Sequence, residues 1–94
     1  MLDDNRLRAM GWEAVHPDEA WYLAPNTAVK YLSDVQGFCL RPLRHGDRGR
    51  VVKMIGKRLS DMLHKPIYAY YVTFPQIDAE SPYALFHTEI EPLD

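Results

Sequence analysis

This 94-residue sequence has few of the residues that form disulfides, nucleotide-binding loops or membrane spans. Its one cysteine, Cys39, excludes an intramolecular disulfide framework and favours a reducing compartment. Its last glycine is Gly56, which excludes a glycine-rich phosphate loop in the second half. No apolar run approaches the roughly 18 residues of a membrane span, and the acidic start has no signal-peptide core. We therefore expect a cytoplasmic protein without a membrane segment.

Length and composition predict a single domain over residues 1–94. The apolar share of 47% is enough for one hydrophobic core in a chain of this size. The aromatic share of 12% is high for so short a chain and argues against disorder.

Charge is distributed very unevenly along the chain. Eight of the eleven Lys and Arg residues lie in the block from Arg41 to Lys65. The only acids in this block are Asp47 and Asp61, so it carries a net charge of +6. Residues 1–40 carry −3, from three cations and six acids, and residues 66–94 carry −5, from five acids alone. A block of one sign usually indicates what a surface contacts rather than how the chain folds.

The pattern of residues 48–64 predicts a long amphipathic helix. Apolar residues recur there at about 100° per residue, Asp47 stands at the N-cap position, and Pro66 would end the helix. The opposite side would carry Arg50, Lys53 and Lys57 as a basic stripe that faces solvent.

Strands are predicted at about 20–24, 38–43, 67–74 and 83–90, from short aromatic or β-branched runs between turn residues. The last two should pair antiparallel. Together with the long helix packed on one face of the sheet, these strands predict an α+β fold.

The first half of the chain is less clearly patterned. A short helix over residues 4–10 would be capped by Asp3 or Asp4 and ended by Gly11, with Leu7 and Met10 inward. Residues 27–36 fit either a helix, which the end signals favour, or a strand paired with 20–24.

Candidate chemistry is sparse, and we expect no enzyme activity, metal or cofactor. His87, Glu89 and Glu91 alternate in a strand pattern but lack the further donors of a catalytic zinc site. Cys39 between Phe38 and Leu40 fits a small buried residue better than a nucleophile.

Residues 39–55 resemble the first strand and helix of the acetyltransferases that use acetyl-CoA. Leu40, Arg41, Pro42, Asp47 and Val51 occupy the matching places. The resemblance implies a glycine-rich pyrophosphate loop before a later helix. Because no glycine follows Gly56, we predict no acetyl-CoA site.

The functional prediction therefore rests on the basic block. We predict a non-enzymatic protein-interaction module, either an adaptor or an inhibitor (for example of the phage type), that binds an acidic protein surface. Nucleic acid is the first alternative, although the sequence pI of about 6.0 disfavours it. A subunit of a homo-oligomer or larger assembly is the second. The predicted partner-binding residues are Arg41, Arg44, Arg48, Arg50, Lys53 and Lys57.

Overall fold

The computed structural model describes residues 2–32, 43–60 and 64–93. Five strands form one antiparallel sheet in these ranges: Ala28–Tyr31 (β1), Arg48–Leu59 (β2), Pro66–Phe74 (β3), Asp78–Phe86 (β4) and Ile90–Pro92 (β5). Their order across the sheet is β4-β3-β2-β1-β5. One short helix, Asp4–Ala9 (α1), precedes the sheet, and a 3-10 turn, His87–Glu89, separates β4 from β5.

The predicted α+β class and its long basic helix are wrong. Residues 48–59 form the strand β2, and α1 and the 3-10 turn are the only helical elements in the described ranges. Asp47 does not cap a helix, because its carboxylate accepts a hydrogen bond from the Arg44 backbone and closes the turn before β2. Residues 61–63 of the predicted helix lie outside the described residues.

Two β-bulges explain why β2 has a helical pattern in its sequence. The register against β3 shifts between Val51 and Lys53, and again between Met54 and Gly56. Each bulge adds one residue, so the two-residue repeat of the strand is broken twice within six residues. Buried Val51 and Ile55 are therefore four residues apart, as they would be on one side of a helix, yet they pack in clusters on opposite faces of the sheet.

The sheet curls until its two edges approach each other. β4 and β5 are the outermost strands, but only the three residues of the 3-10 turn separate them along the chain. Four peptide steps span at most about 14 Å, whereas four strand spacings in a flat sheet would span about 19 Å. The face enclosed by this curl is called the core face below, and the opposite one the outer face.

The core face carries the main hydrophobic cluster. Its buried members are Leu23, Val29, Tyr31, Leu43, Val51, Tyr70, Val72, Phe74, Leu85 and Ile90. The outer face has a smaller cluster formed by Leu7, Ile55, Ala69 and Tyr71. Since Leu7 belongs to α1, this helix packs on the outer face through the smaller cluster.

The short N-terminal helix is confirmed. Asp3 caps α1 by accepting a hydrogen bond from the Arg6 backbone at 2.8 Å, and Gly11 has the left-handed φ of 94°. Leu7 is buried as predicted, whereas Met10 is 55% exposed, so its predicted inward position is wrong.

The other strand predictions have mixed outcomes. The strand at 67–74 is confirmed as β3, and its antiparallel partner is β4. β4 begins at Asp78 and ends at Phe86, so the strand predicted at 83–90 is partly wrong. The strand predicted at 20–24 is wrong: these residues are turn and irregular structure, and Tyr70 anchors the loop by donating to the Trp21 carbonyl at 2.6 Å.

Residues 28–31 are the strand β1, so the preferred helix for 27–36 is wrong over its described part, and residues 33–36 lie outside the described residues. β1 pairs with β2 and β5 and not with 20–24. The predicted strand at 38–43 lies outside the described residues except for Leu43, which is buried. None of the helices in the described ranges is long and apolar enough to cross a membrane.

Candidate functional site

Three of the predicted cations lie on the outer face of β2. Arg48 and Arg50 are two residues apart and therefore point to the same side. Val52 is the extra residue of the first bulge, so the next outward pairing position belongs to Lys53, opposite Tyr71. The bulge thus continues a row of cations that strict alternation would have broken.

Lys30 on β1 adds a fourth cation to this row. It is the direct cross-strand partner of Arg48, and its ammonium lies 3.3 Å from Glu91 on β5. We call Lys30, Arg48, Arg50 and Lys53 the cationic face. Like charges directly opposite each other destabilise a sheet, and in the Lys30–Arg48 pairing the carboxylate of Glu91 offsets part of this repulsion.

Lys53 is held by an acid of the N-terminal helix. Its ammonium lies 3.0 Å from the Asp4 carboxylate, whose side chain is exposed. The hydrogen bond from Lys53 lowers the pKa of Asp4 below its ordinary value, and the charge of Lys53 adds to the effect. This cation is therefore committed to an intramolecular ion pair.

Arg48 and Arg50 differ from the two lysines because neither guanidinium has a carboxylate partner in the described part of the chain. Arg50 donates to the Asn26 carbonyl at 2.9 Å. The backbone beneath them is braced: Gln76 donates to the Arg48 carbonyl at 3.1 Å, and Thr73 donates to the Arg50 carbonyl at 3.4 Å. The two arginines are thus exposed charges on a rigid strand.

Lys57 does not join the cationic face. After the second bulge it pairs with Tyr68 on the core face, and its ammonium lies 2.7 Å from Glu19. The Lys57 hydrogen bond lowers the pKa of Glu19, with help from the His16 backbone, and the same hydrogen bond raises the pKa of Lys57. The arrangement holds the loop around Glu19 against the end of the sheet, which is a structural role.

Of the two loop arginines predicted to bind a partner, the structure describes Arg44 but not Arg41. Arg44 is exposed, and its backbone donates to Asp47 at 2.8 Å within the turn that leads into Arg48. Gly46 supplies that turn with a φ of 94°. Arg44 therefore lies in the turn immediately before β2, four residues from Arg48. Arg41 lies outside the described residues.

Sequence reasoning missed Lys30, which the helical interpretation of 27–36 did not single out. The alternation of Val29 and Tyr31 with Lys30 was the available signal, because it places the lysine opposite the buried pair. Sequence reasoning also missed Arg58, whose guanidinium lies 5.3 Å from the Trp12 ring centre. That contact attaches the chain after α1 to the far end of β2.

His87 belongs to an aromatic cluster at the end of the core face. Its Nδ1 accepts a hydrogen bond from the Tyr68 backbone at 3.2 Å, and its ring centre lies 4.9 Å from that of Trp21. Three potential ligands from His, Cys, Asp and Glu do not gather anywhere in the described ranges. These contacts fix the 3-10 turn to β3, which explains His87 by packing.

Comparison with known proteins yields no family to which the chain can be assigned. No protein-family model, no curated protein and no solved structure matches it. The function must therefore be inferred from the geometry and charge of the surface itself.

Proposed function

We propose that this protein is a non-enzymatic interaction module that binds an acidic partner through the outer face of β2. Arg48 and Arg50 would make the central contacts, with Arg44 and Lys30 beside them. The observation that carries this proposal is that two exposed arginines share one face of a braced strand, and one of them lies opposite a lysine. A partner carboxylate would relieve this repulsion. A cytoplasmic location is part of the same proposal.

The side chains suit recognition rather than catalysis. A guanidinium presents a planar fork that binds a carboxylate through two hydrogen bonds, and arginine is enriched at interface hot spots. The backbone bonds from Gln76 and Thr73 keep the strand in place before a partner arrives. Preorganisation of this kind reduces the entropy lost on binding.

The proposed contribution of Lys53 depends on its ion pair with Asp4. In the free protein this pair places positive charge beside Arg50, and the Lys53 ammonium is offered to a partner when the pair opens. We no longer include Lys57 in the binding surface, since it lies on the core face with Glu19. The binding surface is consequently smaller than the six residues predicted from the sequence.

The proposal can be tested by affinity capture with a matched charge control. The test variant is Arg48→Gln, Arg50→Gln, and the control is Arg6→Gln, Lys65→Gln, which removes the same two positive charges at exposed positions away from the cationic face. Extract of the source cells would be passed over each immobilised protein with and without nuclease. Captured proteins would then be purified and their affinities measured singly.

A protein partner that survives nuclease treatment, binds the control and is lost with the arginine pair is the expected result. Loss of all capture after nuclease treatment would instead indicate nucleic acid as the partner. Equal binding by the wild type and the arginine variant would overturn the proposal. Light scattering on the same samples tests the remaining alternative, because a homo-oligomer built on this face would change mass when both arginines are removed.

A further inference from the structure

The cationic face is bordered on both sides by acids of the same chain. Asp4 reaches Lys53 from α1, and Glu91 reaches Lys30 from β5. Their side chains are exposed by 73% and 54%, so both pairs are open to solvent. Arg48 and Arg50 lie between these two ion pairs along the sheet.

These acids reduce the charge that an incoming partner meets. The four cations of the face give +4, and the two carboxylates lower it to +2. Exposed ion pairs of this kind are weak, because each charge is well solvated and the side chains are mobile. A carboxylate of a partner can therefore replace Asp4 or Glu91 at little cost.

We infer that Asp4 and Glu91 are built-in competitors that set the affinity of the cationic face for a carboxylate-rich segment of a partner protein. This inference rests on the proposed function. In the free protein the two acids hold Lys53 and Lys30, and in the complex the partner's carboxylates take over those ammonium groups. The result is a surface that discriminates against weakly acidic sequences.

Carboxylate chemistry is favoured over phosphate by what already occupies the face. Both groups that bind its lysines are carboxylates, at ordinary ion-pair distances of 3.0 and 3.3 Å. Tyr71, the aromatic residue opposite Lys53, is only 8% exposed and offers no ring for base stacking.

The test is fluorescence anisotropy with the purified full chain and a labelled twelve-residue glutamate peptide at low salt. The key variant is Asp4→Asn, Glu91→Gln. The matched control is Glu13→Gln, Asp18→Asn, which removes two exposed acids outside the cationic face. A labelled thymidine oligonucleotide of equal charge is measured in parallel, and circular dichroism verifies that each variant is folded.

We expect the key variant to bind the peptide about 1.4- to five-fold more tightly for each acid removed, the range that exposed pairs span. The gain should shrink at 150 mM salt and vanish when Lys30→Gln and Lys53→Gln are added, because these are the ammonium groups that the two acids release. An equal gain in the control would overturn the inference and leave the proposed function standing. Absence of peptide binding by all variants would overturn both, and tighter binding of the oligonucleotide would overturn the carboxylate assignment.

Discussion

The two halves of β2 carry similar numbers of cations but use them differently. In the half that begins at Arg48, Arg48 and Arg50 are exposed and have no acidic partner in the described ranges. In the half that ends at Leu59, Lys57 is paired with Glu19, Arg58 lies over Trp12, and Lys53 at the boundary is paired with Asp4. The N-terminal segment thus covers one half and leaves the other open.

This difference shows that the charge block in the sequence is two features in space. The covered half uses its cations to attach residues 4–19 to the sheet, so those charges contribute to the fold. The open half keeps its arginines exposed on a braced strand, with Arg48 directly opposite Lys30. The open half is therefore the one that we propose as the binding surface.

The largest effect expected in the covered half is from Leu7→Ala. Leu7 is 1% exposed and joins α1 to the outer-face cluster of Ile55, Ala69 and Tyr71. Removal of a buried leucine side chain costs about 2–5 kcal/mol. Met10→Ala, at a position 55% exposed, should change stability by no more than about 0.5 kcal/mol. Urea unfolding measures both, and equal effects would show that α1 is not anchored as described.

A smaller effect is expected from Gly56→Ala, which disturbs the same attachment through the backbone. Gly56 has a φ of 144°, and a Cβ there would lie 2.5 Å from the Glu13 carbonyl oxygen. Gly46 also has a positive φ, of 94°, but a Cβ at that position would meet open space. We expect Gly56→Ala to destabilise by about 1–3 kcal/mol more than Gly46→Ala, because overpacking adds to backbone strain. Similar unfolding midpoints would contradict the close approach of Glu13 to β2.

The Glu19–Lys57 pair should give the covered half its own pH dependence. The pKa of Glu19 is lowered from its ordinary value of 4.5. The contribution of this carboxylate to the free energy of unfolding is therefore complete above pH 4.5 and is lost as the pH falls through the lower pKa of the folded state. Glu19→Gln should therefore flatten the loss of stability below pH 4.5. Thermal unfolding between pH 6 and 3 tests this, with Asp18→Asn as the exposed control. If the fall in unfolding temperature at low pH is the same in Glu19→Gln as in the wild type, the pair does not contribute to stability.

How much of this could be predicted from sequence differs between elements. α1 was predictable because its cap, its buried leucine and its terminal glycine are all local signals. β3 was predictable because Pro66 to Phe74 is rich in aromatic and β-branched residues. The separation of charge into blocks was also visible, but the face on which each cation lies was not.

β2 was mispredicted because its bulges imitate a helical period. Its bulges are fixed by pairing with β3, which no local pattern reveals. The sequence nevertheless contained evidence against a helix, because Gly49 and Gly56 would each lower the stability of a helix by about 1 kcal/mol. A Cβ at Gly49 would clash with the Thr73 carbonyl oxygen, so the close approach of β3 explains this glycine in a strand.

The smallest change in stability is expected for variants of the open half, and these variants test the central claim most directly. Arg48→Gln, Arg50→Gln should unfold within about 0.5 kcal/mol of the wild type while losing the acidic partner or the glutamate peptide. Lys57→Gln, Arg58→Gln removes the same charge outside the cationic face and should lower the unfolding midpoint while retaining binding. If instead the Arg48–Arg50 pair proves necessary for folding, or the Lys57–Arg58 pair for binding, the division of β2 into a structural half and a binding half is wrong.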